Sequence, residues 1–452
     1  MADHIAIARV VTVAAGVFAP GHLGELTRLV PFEMIDDVVA RTVRTQQRVR
    51  LLPARVVVYL LLAAALFAEL GYGQVWKKLT AGLAGLPLPT PTSSALRQAR
   101  QRLGPAPLRA LFDLLRGPAA TTATTAVRWR GMLLTVIDGT TMSVADAAPV
   151  IAGGYVKQRG NHGGSGYPSL RLSLLSTCGT RSVLDATFDP ITTGELDQAR
   201  TLARSLRPGM LLLADRDYAA ADLIKTLTGT GAQLLIRCKS GRRLPVIARN
   251  PDGSWLSTIG TIRVRVIDAQ IAVKTTTGTR TGDYRLITTL LDAHRYPADQ
   301  LIRLYHQRWE IETAYLELKS SILGGRVLRA RTPDGIHQEI YALLTVYQVL
   351  RTAMTDATDS RPGTDPDRAS FTTALHAARD QLTQAAGVIA DTVIDLVGAI
   401  GRRVLDCLLP DRRPRIKTRM IKRSNSKYQA RGPNIDRHSY QATISIDIIT
   451  EP

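Results

Sequence analysis

Cysteine is scarce in this chain. Its 452 residues include three, Cys178, Cys238 and Cys407, which lie far apart in the sequence. Closely spaced cysteines are the usual sign of a zinc site or a disulfide framework, and this sequence has none. We therefore exclude both kinds of site and expect a reducing, cytoplasmic environment.

A long hydrophobic run is also missing. The most apolar stretch, 56–67, is shorter than the ~20 residues that a membrane-spanning helix requires, and Glu69 follows it. The first residues include Asp3 and His4 and lack the basic start of a secretory signal. The sequence thus predicts a soluble protein without a membrane partner, in which 56–67 form a buried helix.

Acidic residues are outnumbered by basic ones. The chain has 58 Lys and Arg against 38 Asp and Glu, which gives a formal net charge of +20. Such a field attracts polyanions such as DNA. A basic proteome or an association with ribosomes would produce the same balance, so the positions of the charged residues must decide.

The first part of the chain has a helical pattern. Over 23–115, apolar residues recur at intervals of three and four. A helix capped by Thr92 or Ser93 carries Arg97 and Arg100, and a second short helix follows it as in a helix-turn-helix pair. Both arginines are candidate DNA contacts, although a solvated helix face would have the same pattern.

Strands and helices alternate in the middle of the chain, which is typical of a mixed α/β sheet. Short apolar or alternating runs predict strands at 132–138, 169–177, 182–188, 210–215 and 232–238. Helices are expected at 195–206 and 219–227. An all-β segment follows at about 240–291, and helices return after Pro297.

Two of the predicted strands end in aspartate. Asp138 and Asp215 follow apolar runs, and their carboxylates would lie at the same sheet edge if the two strands are neighbours. Each aspartate could equally belong to an ordinary turn, and Asp217 could stabilise the second of these turns. A third acid would have to come from the helix after the β segment, where the candidates are Glu310, Glu312 and Glu317.

That helix contains a further pattern. Tyr305, Arg308, Glu312 and Lys319 follow the spacing Y-x2-R-x3-E-x6-K, which places the last three near one helix face. Ordinary pairing between charges four residues apart would also produce such a face.

With these residues the sequence resembles the DDE transposases of the insertion-element-4 group, whose signature is this tyrosine, arginine, glutamate and lysine. The motifs VIDGT, LADRDY and YHQRWEIETAYLELK occur in the expected order at 136–140, 213–218 and 305–319. The resemblance covers roughly 130–331, and 23–115 is similar to the family's N-terminal domain. The all-β segment also stands where this family has an insertion.

The resemblance implies three regions. These are a helical N-terminal DNA-binding domain (1–120), a ribonuclease H-like α/β catalytic domain with an inserted all-β subdomain at about 240–291 (121–355), and a helical C-terminal region with a basic tail (356–452). The basic residues of that tail lie within 411–437, where they would add affinity for DNA of any sequence or simply improve solubility. The helices expected at 371–409 could pair two copies of the chain or pack back onto the core.

The resemblance also implies the chemistry of the site. Asp138, Asp215 and Glu312 would be catalytic and would bind two Mg2+ ions, for which Mn2+ can substitute. Tyr305, Arg308 and Lys319 would contact phosphates near the cleaved DNA end.

Related enzymes hold a flipped base against an aromatic residue of the β insertion. Tyr284 stands where the best understood relative has tryptophan, and it still offers a stacking face. It could also be an ordinary strand residue. Trp255 and Trp309 are alternatives, and Trp309 is expected to pack in the core.

The expected function is cut-and-paste transposition. The partners would be the inverted-repeat ends of the element, target DNA and a second copy of the chain in a symmetric pair, and the enzyme would work at the nucleoid in a bacterial cytoplasm. A metal-dependent nuclease without strand transfer and a non-catalytic DNA-binding relic are the alternatives. The presence of all three acids argues against the relic.

Overall fold

Helices from both ends of the chain flank a large central sheet. The structure is a computed structural model that describes residues 22–46, 48, 50–83, 88–160, 163–275, 278–384, 398–410, 415–417, 439–441 and 443–449. Nearly all of the predicted basic tail, 411–437, lies outside these residues.

Helices form the N-terminal region, as its apolar spacing predicted. They are α1 (Phe32–Arg41), α2 (Ala54–Leu66), α3 (Tyr72–Leu79), α4 (Ser93–Leu103) and α5 (Ala106–Leu115). Thr92 caps α4, because its hydroxyl accepts a hydrogen bond of 3.2 Å from the backbone N–H of Ala95. Helix α2 is buried along its whole length, as expected for 56–67. No helix among the described residues is long and apolar enough to cross a membrane.

The central sheet contains the five strands that the sequence predicted, two of which are longer than expected, and two further strands, Arg128–Trp129 and Val156–Gly160, that it did not predict. The strands are β1 (Arg128–Trp129), β2 (Met132–Ser143), β3 (Val156–Gly160), β4 (Gly163–Thr177), β5 (Val183–Pro190), β6 (Met210–Ala214) and β7 (Gln233–Cys238). The helices between them are α6 (Ala148–Ala152), α7 (Glu195–Leu202) and α8 (Ala221–Thr228).

Five of these strands form a mixed unit in the order β5, β4, β2, β6, β7. Strands β2, β6 and β7 are parallel to one another, whereas β4 runs antiparallel to both β2 and β5. Side chains alternate between the two faces, so Leu134 and Val136 of β2 join one apolar cluster and Leu133 and Ile137 join the other. The sheet is therefore buried on both sides.

The all-β segment continues this sheet instead of forming a separate one. Its strands are β8 (Ala248–Arg249), β9 (Trp255–Ile259), β10 (Ile262–Thr275) and β11 (Gly278–Thr288). Strand β11 pairs antiparallel with β7, which places Leu286 opposite Arg237. The last described segments add β12 (Arg415–Lys417) and β13 (Ser439–Gln441), which pair with each other, and β14 (Thr443–Ile448), which pairs with β10 over residues 269–274.

Among the described residues, five α-helices follow β11 in the chain, and one of them is long. They are α9 (Ala298–Tyr305), α10 (Glu310–Leu316), α11 (Pro333–Asp359), α12 (Phe371–Gln384) and α13 (Gly398–Asp406). Helix α11 contacts α2, α5, α12 and α13. Its Gln338 side chain donates hydrogen bonds of 2.8 Å to the carbonyls of Arg100 and Gly104, which hold the turn between α4 and α5.

The C-terminal helices use their apolar faces within the chain. Leu375 and Leu382 of α12 and Ile400 and Val404 of α13 are buried in the same cluster as the N-terminal helices. Of the two alternatives left open by the sequence, packing back onto the core is the one that these described residues follow.

Candidate active site

The two aspartates lie on neighbouring strands, at the level where β6 ends. Asp215 follows β6 as predicted, but β2 continues to Ser143, so Asp138 lies within its strand and not at the strand's end. Strands β2 and β6 are parallel neighbours in which Val136 is the partner of Leu213, and Asp138 and Asp215 each follow two residues later.

The Asp138 carboxylate accepts a hydrogen bond of 2.9 Å from the N–H of Gly139. The Asp215 carboxylate accepts one of 2.8 Å from the N–H of Asp217. Asp215 therefore caps the turn that follows it. The sequence had suggested Asp217 as the residue that stabilises this turn.

The Asp138 carboxylate lies in a place that disfavours its charge. Burial is the largest cause that raises its pKa, to about 7, and the negative charges of Glu195 and Asp215 act in the same direction. The Gly139 N–H and the Arg308 guanidinium oppose the rise without cancelling it. Asp138 thus stands among carboxylates with too little positive charge beside it.

Arg308 links the first acid to the third. Its Nη2 is 3.1 Å from Oε1 of Glu312, and its Nη1 is 4.0 Å from Oδ2 of Asp138. The Glu312 side chain is 45% exposed and lies on the side of the helix that carries Arg308. The shared face predicted from the spacing is confirmed for these two residues, and that face lies beside Asp138.

The other two candidate glutamates pair with a different arginine. Glu310 Oε2 is 2.6 Å from Nε of Arg181, and Glu317 Oε1 is 3.2 Å from Nη1 of the same guanidinium. The Arg181 side chain is only 2% exposed. Since both carboxylates are buried in ion pairs with Arg181, Glu312 is the one of the three glutamates that shares Arg308 with Asp138.

The ion pairs of Arg181 are part of a larger buried network. Glu317 also accepts a hydrogen bond of 2.9 Å from the Tyr347 hydroxyl and pairs with Arg351, both from α11. Arg181 pairs in addition with Asp367. The network ties the turn after β4 to the signature helix and to the C-terminal helices. Sequence reasoning missed it, because a buried arginine in a loop looks the same in the sequence as an exposed one.

The signature segment changes its helical form several times. Helix α9 ends at Tyr305, a 3-10 turn covers His306–Trp309, α10 follows, and a π-helix covers Glu317–Ile322. Within the π-helix, Lys319 Nζ donates a hydrogen bond of 3.1 Å to Oγ1 of Thr140. A π-helix is rare and is found mostly at functional sites. It here brings a lysine to β2, two residues beyond Asp138.

Tyr305 faces the interior. Its hydroxyl donates a hydrogen bond of 3.0 Å to the carbonyl of Ala214, the residue before Asp215, and the ring is buried. Burial is also the main reason that the pKa of Tyr305 is raised. A contact between this hydroxyl and a phosphate would require the bond to Ala214 to be exchanged.

A second tyrosine fixes the backbone of the first acid. The Tyr315 hydroxyl donates a hydrogen bond of 2.5 Å to the carbonyl of Asp138 and accepts one of 3.1 Å from the N–H of Leu174. Tyr315 lies on α10, three residues after Glu312, and joins that helix directly to β2. Tyr315 lies within the motif at 305–319, but no pattern of residues distinguishes it from the other members of that motif.

The aromatic candidates differ in their surroundings. Tyr284 on β11 is half-buried, and the Arg237 guanidinium lies over its ring at 4.0 Å from the ring centre. Trp255 is 3% exposed and belongs to the core, which leaves it no face for a base. Trp309 is 49% exposed, so the expectation that it packs in the core is wrong. The 3-10 turn at His306–Trp309 places Trp309 at the surface, next to Arg308 in the chain.

The two N-terminal arginines also differ. Arg97 is exposed on α4, whereas the Arg100 guanidinium lies 3.7 Å from the ring centre of Tyr72 and is half-buried. Arg97 is therefore the more accessible of the two to a DNA phosphate.

The carboxylates do not form a closed ligand set as they stand. Among the described residues, no three His, Cys, Asp or Glu side chains are grouped closely enough to hold a metal ion. One physical reason is visible at Glu312, whose carboxylate is paired with Arg308.

Two protein families match the sequence over most of the described fold. The family described as "Insertion element 4 transposase N-terminal" matches residues 20–113. The family described as "Transposase DDE domain" matches residues 129–349. The first match covers the N-terminal helices, and the second covers the central sheet and the signature segment.

Two individual proteins are similar to this chain. Transposase InsG for insertion sequence element IS4 of Escherichia coli (strain K12) is 26% identical over 407 residues, which cover 88% of this chain and 91% of the relative. The cryo-EM structure of the piggyBac transposase synaptic complex with hairpin DNA aligns with 86% of this chain and 85% of its own, with 11% identity and a TM-score of 0.40, too low to support a conclusion.

The family matches identify the five-stranded mixed part of the central sheet. Strands β5, β4, β2, β6 and β7 form the ribonuclease H-like core of the DDE domain. The chain belongs to the DDE transposases of the insertion-element-4 family, which cleave and transfer DNA and depend on divalent metal ions.

Proposed function

We propose that Asp138, Asp215 and Glu312 are the catalytic and metal-binding residues of this transposase. The observation that carries the proposal is the meeting of the two aspartates on adjacent strands, with Arg308 between Asp138 and Glu312. The ions are two Mg2+, for which Mn2+ can substitute. When bound, they would activate a water or a 3′-hydroxyl as nucleophile and stabilise the leaving 3′-oxygen.

The residues of this site suit such ions. Carboxylate oxygens are the hard ligands that Mg2+ prefers. The raised pKa of Asp138 reflects burial beside like charges, and a bound cation would relieve that condition. For all three acids to share an ion, Glu312 has to leave Arg308. The guanidinium is then available to a DNA phosphate.

The basic residues of the signature segment would hold the DNA. Arg308 offers a planar fork for two phosphate oxygens, and Lys319 offers a point charge beside β2. Tyr305 would donate its hydroxyl to a phosphate next to Asp215 after releasing Ala214. Together these side chains would orient the scissile phosphate towards the carboxylates.

Tyr284 is our candidate for the residue that stacks on a flipped base. The Arg237 guanidinium already covers one face of its ring, so a planar group fits against that face. A base can replace the guanidinium or stack on the opposite face, because base stacking needs only an exposed π surface. The position of β11 next to β7 places Tyr284 on the sheet that carries Asp215.

The N-terminal helices would recognise the ends of the element. Arg97 is exposed on α4 and Arg100 lies three residues later, so both would contribute phosphate contacts that set the orientation of the DNA. The basic tail would add affinity for DNA of any sequence.

The reaction that we propose is cut-and-paste transposition on inverted-repeat ends, in the cytoplasm at the nucleoid. A nuclease of the same fold would use the same acids but would not join DNA. A duplex carrying one end of the element, incubated with Mg2+ and a supercoiled target plasmid, separates the two activities. A transposase yields end cleavage and a covalent product with the plasmid, whereas cleavage without joining would favour the nuclease. Inverted repeats beside the coding region supply the sequence of that duplex.

The active species would be a symmetric pair. A transposase joins two distant ends to one target, while one set of three carboxylates acts on one strand at a time. The buried apolar residues of α12 and α13 that the structure describes pack within the chain, so we do not assign the pairing surface to them.

A further inference from the structure

A fourth carboxylate, that of Glu195, lies beside the strand that carries Asp138. Glu195 is the first residue of α7, and its Oε1 accepts a hydrogen bond of 2.9 Å from the Tyr218 hydroxyl. Its Oε2 is 3.2 Å from Nη1 of Arg171 on β4. A Cβ atom built on Gly139 would be 2.5 Å from the Glu195 Oε1, so this carboxylate lies directly against the backbone of Gly139.

These contacts connect the surroundings of both aspartates. Gly139 is the residue after Asp138 on β2. Tyr218 ends the 3-10 turn Arg216–Tyr218, in which the backbone N–H of Asp217 donates a hydrogen bond to the Asp215 carboxylate. One side chain therefore contacts the backbone that carries the first acid and the turn that carries the second. The absence of a side chain at Gly139 is what allows this close approach.

Around Glu195, carboxylates outnumber basic side chains among the described residues. Four carboxylates, those of Glu195, Asp138, Asp215 and Glu312, face three basic groups, the guanidinium groups of Arg171 and Arg308 and the ammonium group of Lys319. The Glu195 side chain is 27% exposed and so only partly screened by water. The N-terminus of α7 offsets part of its charge through the helix dipole. A bound cation would balance the remaining negative charge of these carboxylates.

We propose that Glu195 is a positioning residue of the metal centre: it fixes the spacing of Asp138 and Asp215 and adds its negative charge to the field that holds the ions. This inference rests on the proposed function, since it takes the two aspartates as ligands. Residues that orient metal ligands typically contribute about 10-fold to 100-fold in metal affinity. Glu195 should fall within that range.

The test is a Mn2+ titration of the full chain, followed by electron paramagnetic resonance, which counts free and bound ions without DNA. Glu195→Gln keeps the volume and an oxygen acceptor for Tyr218 but removes the charge. We expect its Mn2+ affinity to fall about 10-fold or more. The matched control is Asp197→Asn, which removes the same charge from the first turn of α7, where Asp197 pairs with Arg200. It should bind Mn2+ as the unmodified chain does.

Tyr218→Phe provides a second variant if Glu195→Gln folds poorly. It removes only the hydroxyl that joins Glu195 to the Asp215 turn, and a smaller loss of Mn2+ affinity is expected. Equal affinity in Glu195→Gln, Tyr218→Phe and Asp197→Asn would overturn the inference. Asp138→Asn separates this outcome from a failure of the proposed function. If Asp138→Asn also binds Mn2+ normally, the metal site itself is misplaced, whereas a loss in Asp138→Asn alone rejects only the role of Glu195.

Discussion

Lys319 Nζ donates a hydrogen bond of 3.1 Å to Oγ1 of Thr140, and this bond brings the last basic residue of the signature to the strand that carries Asp138. The two residues are 179 positions apart in the chain. The π-helix at Glu317–Ile322 adds a residue to the helical turn, which changes the direction of Lys319 relative to a regular α-helix. The lysine therefore lies beside β2 and not on a remote helix surface.

Replacing Lys319 should alter DNA binding in a defined way. Lys319→Gln keeps a donor for Thr140 but removes the charge, so the slope of log affinity against log salt should become shallower by about one unit. Lys319→Arg should keep the slope. Fluorescence anisotropy of a labelled end duplex over a range of salt concentrations measures both. An unchanged slope in Lys319→Gln would remove Lys319 from the set of phosphate contacts.

The Arg181 network should be a main source of stability for the signature segment. Arg181→Met leaves the Glu310 and Glu317 carboxylates buried without their shared partner, which costs about 3–5 kcal/mol in a buried pair. Urea unfolding followed by circular dichroism should show this loss.

The matched control for Arg181 is an exposed arginine. Arg200 pairs with Asp197 and Asp222 at the surface, so Arg200→Met should leave the unfolding midpoint nearly unchanged. Similar midpoints for the two variants would contradict the structural role of the network.

The basic tail should be tested by neutralising its charges and not by deleting it. A truncation after Pro410 would also remove β14, which pairs with β10, and would expose an edge of the sheet. The residues to be changed to glutamine are Arg412, Arg413, Arg415, Lys417, Arg419, Lys422 and Arg423. The salt dependence of binding should weaken while the preference for end DNA over unrelated DNA stays the same. A changed preference would show that the tail takes part in recognition.

If the active species is a symmetric pair, mixing active and inactive chains should produce complexes that contain one of each. When active chain is mixed with Asp138→Asn chain before DNA is added, paired complexes should include some that cleave only one of their two ends. Gel analysis of a substrate that carries both ends counts single and double cleavage. Activity that falls in proportion to the active fraction, with double cleavage retained in each reacting complex, would reject the pair.

The aspartates could be singled out from the sequence because each follows a short apolar run, which is a local pattern. The continuation of β2 to Ser143 could not be predicted, because the residues after Asp138 are mostly polar. Glu312 is expected to be the third acid because the resemblance to the family's tyrosine, arginine, glutamate and lysine signature implies it. The choice among the three glutamates had no basis in the pattern alone, since Glu310 and Glu317 differ from Glu312 only in the side of the helix that they occupy. The structure supplies that difference through Arg181.

Residues that act through distant partners could not be predicted. Glu195 and Tyr218 lie 23 positions apart, and Arg181 and Glu317 lie 136 apart. Strand β14 did have a signal, because TISIDI alternates between polar and apolar residues, but the basic residues before it dominated the interpretation of the C-terminal region. The outward position of Trp309 depends on the 3-10 turn, which leaves no mark in the spacing of apolar residues.

The most direct test of the account uses the variants Asp138→Asn, Asp215→Asn and Glu312→Gln. For each variant, Mg2+-dependent cleavage of a duplex that carries the element's end is measured, and so is the affinity for the same duplex. Each substitution removes a metal ligand but keeps the size of the side chain and the basic surface. All three variants should therefore lose cleavage while binding the end with nearly the affinity of the unmodified chain. Substantial Mg2+-dependent cleavage by any one of them would contradict the assignment of that residue.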